Sequence, residues 1–148
     1  MILNMSTDYG LRIAVYLAQQ RKVVSSSELS KKLKISQRYI LQVSSKLRDA
    51  GVLQVIHGQF GGFILAKPPN ELSIYDIAAT LQEETKLRRK VLVEPVNSDD
   101  FNNLYEIYAY LDNLFEGTLK RITICHILNK KPSKPFPKTF WDFWVEMI

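Results

Sequence analysis

Residues 25–67 read SSSELSKKLKISQRYILQVSSKLRDAGVLQVIHGQFGGFILAK, and within this run the apolar spacing changes from helical to alternating at a single glycine. No other stretch restricts the fold as tightly. Ser25 and Glu28 stand in capping-box spacing, in which the hydroxyl accepts from the third helical amide while the carboxylate reaches back to the cap residue's N–H. That predicts a short helix over residues 26–33, with a turn at Leu33, Lys34 and Ile35. Ser36 is the next cap, and Ile40, Val43, Leu47 and Ala50 follow at intervals of three and four, the buried stripe of another helix. Gly51 is free to adopt the left-handed conformation that closes it. Beyond it Leu53 and Val55 alternate with Gln54 and Ile56, Gly58 to Gly62 turns the chain, and residues 63–67 return it as a β-hairpin. The order is a helix-turn-helix followed by a wing, a unit whose use is to bind DNA.

The flanks complete a mainly α-helical chain with one small hairpin. A first helix is expected from about Asp8 to Gln20, capped by Ser6 or Thr7, with Leu11, Ala14, Val15 and Ala18 buried. Lys67-Pro68-Pro69 stops the second strand, and Ser73 with Asp76 opens a helix carrying Ile74, Ile77, Ala78 and Leu81. Residues 83–98 turn polar and basic before Pro95 and are expected to form a loop. A long helix over residues 99–116 carries Phe101, Leu104, Ile107, Tyr108, Leu111, Leu114 and Phe115, a stripe that needs a partner along its whole length. That partner is either the chain's own core or the equivalent helix of a second copy, and the small face of a domain of this size favours the second copy. Gly117 is expected to end this helix, and Thr118 to begin a shorter one through Leu128. In the tail, Pro132, Pro135 and Pro137 forbid a continuous helix, and Phe140, Trp141, Phe143, Trp144, Val145, Met147 and Ile148 crowd into nine residues. Such a segment is an arm packed on its own subunit or across a dimer, or else a lid or docking segment. The expected organisation is a winged helix-turn-helix domain at 1–82, a loop at 83–98, dimerisation helices at 99–128 and a Pro/aromatic arm at 129–148.

Charge and cysteine usage narrow the function. Residues 1–70 hold 10 Lys/Arg against Asp8, Glu28 and Asp49, a net charge of +7, whereas residues 71–148 hold 10 against 12 acids. The half that carries the wing is therefore the half suited to phosphate. Cys125 is the single cysteine, so one chain can form neither a disulfide nor a thiolate metal site, and no metal is expected. It is either a small buried residue or a redox-responsive thiol. The N-terminus has no secretion-signal pattern and no run approaches the roughly 18 apolar residues of a membrane span, so a cytoplasmic location without membrane association is expected. The two histidines, His57 and His126, offer no nucleophile-base pair: one falls at the hairpin tip, and the other adjoins Cys125 in a helix, where neighbouring side chains diverge by about 100°. The glycines at 58, 61 and 62 join two strands and do not lead into a helix, as a phosphate-cradling loop would. No enzymatic activity is expected.

Four segments taken in order, TDYGLRIAVYLA (7–18), ELSKKLKISQRYILQVSSKLRDAGVL (28–53), HGQFGGFILAKPP (57–69) and LSIYDIAATL (72–81), resemble the Rrf2 family of bacterial transcription regulators, with the similarity running from about residue 2 to residue 128. The resemblance implies a homodimer that places two winged-helix units on a pseudopalindromic operator in double-stranded DNA. In this arrangement the long helix is the dimer element, helix three enters the major groove and the wing reaches toward the minor groove. Leu104, Ile107, Tyr108, Leu111, Leu114 and Phe115 would then form the dimer seam. The face of helix three opposite its buried stripe carries Gln37, Arg38, Leu41, Gln42, Ser45 and Lys46. Ser36, Gln37, Arg38 and Gln42 lie nearest the helix N-terminus, where side chains reach base edges and unpaired amides favour a phosphate. Arg38 suits guanine and Gln42 adenine, both by paired hydrogen bonds. Tyr39 matches a family tyrosine and is either a phosphate contact or a half-buried structural residue. His57, Gly58 and Gln59 are the wing's contact residues.

Three departures qualify the resemblance. Many relatives place arginine where this chain has His57, and a neutral histidine holds a narrow minor groove less well unless protonated. At Leu41 some relatives carry a glutamate that reads cytosine, so their operators do not transfer, although leucine can contact a thymine methyl. Cluster-binding relatives place three cysteines ahead of the long helix, and KLRRKVLVEPVNSDD has none, which leaves Asp8, an acidic position that joins the cluster in some relatives, nothing to ligate. The expected function is a homodimeric, sequence-specific DNA-binding transcriptional regulator, a repressor with no cofactor or cluster of its own. Its effector, a small molecule or a protein, is unidentified. The alternative is a winged-helix module that contacts a partner protein in place of DNA.

Overall fold

Among the described residues four helices pack around the first, a long fifth one lies against the helix that follows the hairpin, and the two-stranded hairpin joins them. The computed structural model describes residues 3–82 and 102–129. Helix α1 (Met5–Gln20) starts earlier than expected because Asn4, not Ser6 or Thr7, supplies the cap: its carboxamide oxygen accepts from the Thr7 N–H at 2.8 Å. Its buried face also differs in phase. Gly10, Ile13, Ala14, Leu17 and Ala18 face the core, while Leu11 and Val15 are only partly buried. The reason is close helix packing, since a Cβ on Gly10 would lie 2.4 Å from Leu81 Cδ1 and 3.0 Å from Ile77 Cγ2. Small residues here let another helix approach, and the line of large residues is displaced to either side.

Helix α2 (Ser26–Leu33) is capped by Ser25, whose hydroxyl accepts from the Glu28 N–H at 3.2 Å. The expected reciprocal bond is absent, because Glu28 turns instead to accept from the Tyr16 hydroxyl at 3.0 Å. This contact ties α2 to α1. Burial, and then the bond to Glu28 and its charge, push the Tyr16 phenol above its ordinary pKa. Lys34 closes α2 in a left-handed conformation (φ 55°), and Ser36 caps α3 (Gln37–Asp49) by accepting from the Tyr39 N–H at 3.3 Å. Ile40, Val43 and Leu47 are buried as the periodicity predicts, but Ala50 is exposed, since it lies outside the last turn, next to Gly51 at φ 71°.

Ser44 is the fourth buried residue of α3, and its hydroxyl has no hydrogen-bond partner among the described residues. An unsatisfied buried hydroxyl costs free energy that alanine, the better helix former, does not incur. Ser44→Ala is expected to raise stability by about 1 kcal/mol, or a melting temperature higher by roughly 3 °C. Thermal unfolding followed by circular dichroism reads it; an unchanged or lower midpoint would show that the hydroxyl contributes to the fold.

Strands β1 (Leu53–Ile56) and β2 (Gly62–Leu65) pair antiparallel, with Leu53 opposite Leu65 and Ile56 opposite Gly62. The hairpin is anchored close to its turn by a bridge that the sequence patterns do not announce. Val24 and Phe63 exchange N–H···O bonds of 3.0 and 2.8 Å, and a Cβ on Gly62 would come within 2.2 Å of the Val24 carbonyl oxygen. Helix α4 (Ile74–Leu81) carries the predicted reciprocal cap: the Asp76 N–H donates to the Ser73 hydroxyl (3.2 Å), and the Ser73 N–H donates to the Asp76 carboxylate (2.9 Å). Ile77, Ala78 and Leu81 are buried, and Ile74 is partly exposed.

Helix α5 (Asn102–Arg121) runs unbroken through Gly117, which corrects the expected stop there. One interior glycine costs only about 1 kcal/mol, and the helix around it is held by other contacts. Thr118 donates its hydroxyl to the Leu114 carbonyl, and Lys120 lies 3.7 Å from Glu116 and 4.4 Å from the Tyr75 ring centre. The chain turns at residues 122 and 123, where the Ile74 N–H meets the Ile122 carbonyl and the Ile124 N–H meets that of Leu72. Helix α6 (Ile124–Leu128) follows, with Ile124 fully buried in the same core as Ile13, Leu17, Leu47 and Ile77. The expected loop at 83–98, residues 99–101 of the expected long helix, and the arm from 130 onward lie outside the described residues. No described helix is long and apolar enough to cross a membrane.

Candidate nucleic-acid interface

The N-terminal half of α3 is where the chain presents polar groups that its own fold does not consume. Gln37, Arg38, Leu41 and Gln42 are exposed and line one open depression of about 700 Å³. Leu41 is 48% exposed, a large apolar side chain held outward among hydrogen-bonding neighbours. Arg38 has no hydrogen bond or ion pair among the described residues, so its five donors remain available. Gln37 is already positioned, because its Nε2 donates to the Ser26 hydroxyl at 2.9 Å and so joins the starts of α2 and α3. Ser36 is exposed, but its hydroxyl serves the helix cap.

Tyr39 is half-buried and packed within the fold. Its hydroxyl is hydrogen-bonded to that of Ser6 at 2.7 Å, and its ring meets Tyr9 edge-on with centres 5.4 Å apart. The pair clamps the start of α3 to the start of α1. Asp8, beside them, forms a 2.8 Å ion pair with Arg12 on the surface of α1. Ser45 and Lys46 fall away from the exposed cluster. Ser45 is partly buried and accepts from Arg48 at 3.2 Å, and Lys46 borders a separate depression with Asp49, Ala50 and Thr80.

At the wing, His57, Gly58 and Gln59 are all exposed. The Gly61 N–H donates to the Gly58 carbonyl at 3.0 Å, a tight turn with Gln59 and Phe60 at its corner. Gly58 has φ 115°, a conformation that residues with a Cβ rarely adopt. Phe60 is the functional candidate that sequence patterns passed over. It is 87% exposed, and the available signal was a large apolar residue inside a glycine-rich turn, where polar residues are the rule.

The remaining candidates lie elsewhere. Leu104, Ile107, Tyr108, Leu111, Leu114 and Phe115 are each 40–54% exposed along α5. Within this chain the described residues leave this stripe about half exposed. Cys125 is only partly buried, short of the small buried residue expected as one alternative, because α6 faces the core with Ile124 and leaves its next residue at the rim. Its Sγ lies 3.7 Å from the Asn129 amide. His126 caps α6, where Nδ1 accepts from the Thr123 N–H at 3.0 Å, so its ring is committed to the backbone and not to Cys125.

Comparison with known proteins places this geometry. The family model Rrf2, described as an iron-dependent transcriptional regulator, matches residues 3–130. The chain belongs to the Rrf2 family. As a member it is a DNA-binding transcriptional regulator, and its helices and antiparallel hairpin form a winged helix-turn-helix. An HTH-type transcriptional regulator from Aquifex aeolicus is 28% identical over 145 residues, covering 93% of this chain and 98% of that protein. The regulator NsrR of Shouchella clausii is 33% identical over 89 residues, 59% of this chain and 60% of that protein. Among solved structures, a transcriptional regulator from Listeria innocua superposes with a TM-score of 0.72 at 26% identity, over 90% of this chain and 91% of the other. A cluster held by several thiolates of one chain does not fit this Rrf2 member. It has one cysteine, and no three His, Cys, Asp or Glu side chains come together among the described residues.

Proposed function

We propose that this Rrf2 regulator works as a homodimeric repressor that reads a pseudopalindromic operator without an iron-sulfur cluster of its own. The observation that carries the reading is the outward face of α3, where Arg38, Leu41 and Gln42 stand together at the helix N-terminus with no duties inside the fold. Arg38 takes a guanine through O6 and N7, Gln42 an adenine through N6 and N7, and Leu41 a thymine methyl. Gln37, held by Ser26, and the amides at the start of α3 fix the helix against a phosphate. Lys46 contacts the backbone further along, and His57, Gly58 and Gln59 approach the neighbouring minor groove. The half-exposed stripe on α5 meets its equivalent in a second copy and sets two reading heads about one helical turn apart. Residues 1–82 are the DNA-binding domain, the protein works in the cytoplasm, and it catalyses no reaction.

Sequences selected from a random duplex pool by the full chain supply the test. Binding to them should fall steeply with salt, roughly one unit of log–log slope per phosphate contact. Arg38→Ala is expected to weaken binding to the selected sequence by about 1–3 kcal/mol while leaving non-specific binding nearly intact. Equal loss on both kinds of duplex would reassign Arg38 to a phosphate. Flat salt dependence, or no binding, would favour the protein-partner reading.

A further inference from the structure

Phe60 occupies a position for which the fold gives no reason. It is 87% exposed, the most exposed large apolar side chain among the described residues, and it touches none of the core. The turn that carries it is nonetheless closely specified. Gly58 takes φ 115°, the Gly61 N–H closes the turn on the Gly58 carbonyl, and a Cβ on Gly61 would come within 2.4 Å of the Ile56 carbonyl oxygen. One residue further, Gly62 is pressed against Val24, whose bridge to Phe63 fixes the turn-proximal end of the hairpin to the segment between α1 and α2. Three glycines thus fix the corner, and the corner presents a phenyl ring to solvent at the end of a two-stranded projection. A solvent-exposed corner is normally filled by a polar residue.

From this placement we infer that Phe60 is the groove-entering residue of the wing: an apolar probe that seats on the floor of the minor groove and selects A·T over G·C pairs there. The inference rests on the DNA-binding reading of α3 and goes beyond it by naming the base-pair preference of a second contact. DNA is the favoured occupant because the hairpin belongs to the half of the chain with a net charge of +7. The neighbours of the ring at the tip, His57 and Gln59, are hydrogen-bonding groups suited to groove walls. A single side chain projecting from the corner, unlike the two-stranded ribbon behind it, fits a groove about 6 Å wide. The selectivity follows from groove chemistry. The floor of an A·T pair carries only acceptors and is open, whereas a G·C pair raises the guanine N2 amino group into the path of the ring and blocks it sterically. Apolar side chains are a known means of entering this groove.

Inosine separates this from every major-groove effect, because an inosine·cytosine pair lacks the N2 amino group yet keeps the major-groove face of G·C. The experiment measures affinity of the full chain for selected duplexes in which the minor-groove positions protected from hydroxyl radicals are rebuilt as A·T, G·C or inosine·C. The unaltered chain should bind the A·T and inosine·C duplexes about fivefold or more tighter than the G·C duplex. Phe60→Ala should bring the three to within a factor of about two, and Phe60→Leu should keep part of the difference. The side chain is exposed, so unchanged melting of both variants is expected and shows that the fold is intact. Retention of the full preference by Phe60→Ala overturns the assignment, as does equal binding of inosine·C and G·C duplexes by the unaltered chain. If the unaltered chain binds duplex tightly in either case, the reading of α3 stands without it. If it binds no duplex at all, both fall.

Discussion

Leu111→Asp is expected to leave a folded monomer whose affinity for the selected operator is lower by a hundredfold or more. Leu111 is at the centre of the exposed stripe on α5, and its neighbours Ile107, Tyr108, Leu114 and Phe115 lie one turn to either side of it. In a two-copy seam the aspartate would be desolvated among apolar side chains and face its own counterpart, a cost that no salt bridge offsets. Within one chain the same position is open to water, so little folding energy is lost. The C-terminal turns of α5 stay attached through buried Leu119 and, beyond the helix, Ile124. Two linked reading heads gain about 10²–10⁴ in affinity over one, and the monomer forfeits that gain. Sedimentation at micromolar concentration and operator binding are to be measured together. If Leu111→Asp sediments and binds as the unaltered chain does, α5 is not the seam; an unaltered chain that is itself monomeric would falsify the dimer.

Gly10→Val should lower stability by about 2–3 kcal/mol and weaken DNA binding only through loss of folded protein. Two effects compete. Valine is a better helix former than glycine by a few tenths of a kcal/mol, which favours the variant. Against that, even the first added carbon would sit 2.4 Å from Leu81 Cδ1 and 3.0 Å from Ile77 Cγ2, and two further methyl groups have nowhere to go in a core also occupied by Leu47. Overpacking outweighs propensity. Gly10→Ala is the informative comparison, because its single methyl crowds only the side-chain methyls Leu81 Cδ1 and Ile77 Cγ2 and gains up to about 1 kcal/mol in helix propensity against that crowding, so its net change should be small. Urea titration gives both values. A valine variant as stable as the alanine one would show that α4 can move away from α1 freely.

How far the fold was legible follows from the range of the interactions involved. Ser25, Ser36, the Ser73–Asp76 pair and Gly51 all mark element ends where expected, because each cap is made with an amide or a dihedral within three residues. The alternation of Leu53 and Val55 against Gln54 and Ile56 predicted which strand face is buried for the same local reason. Expectations failed where a distant partner intervened. Glu28 left its own cap for Tyr16, 12 residues away, the burial of α1 shifted to admit α4, and Gly117 stayed helical within contacts that include Tyr75. Of the candidate site, Gln37, Arg38, Leu41 and Gln42 came out together from helical periodicity alone, whereas the packing of Tyr39 on Ser6 and Tyr9 required α1 and α3 to be seen side by side.

By itself, then, the sequence determined the order of elements, the outward set on α3 and membership in a regulator family, since periodicity, caps and motif order are properties of neighbouring residues. It also excluded a cysteine-ligated centre built within one chain, which one cysteine is too few to make. Only the tertiary structure decided which exposed groups are uncommitted. Arg38 is open while Tyr39 and Ser36 are engaged, the described residues leave the α5 stripe about half exposed, and Phe60 stands outside every packing contact of the core. The physical reason is that burial and hydrogen-bond satisfaction depend on which segments meet in space, and those meetings join residues dozens of positions apart.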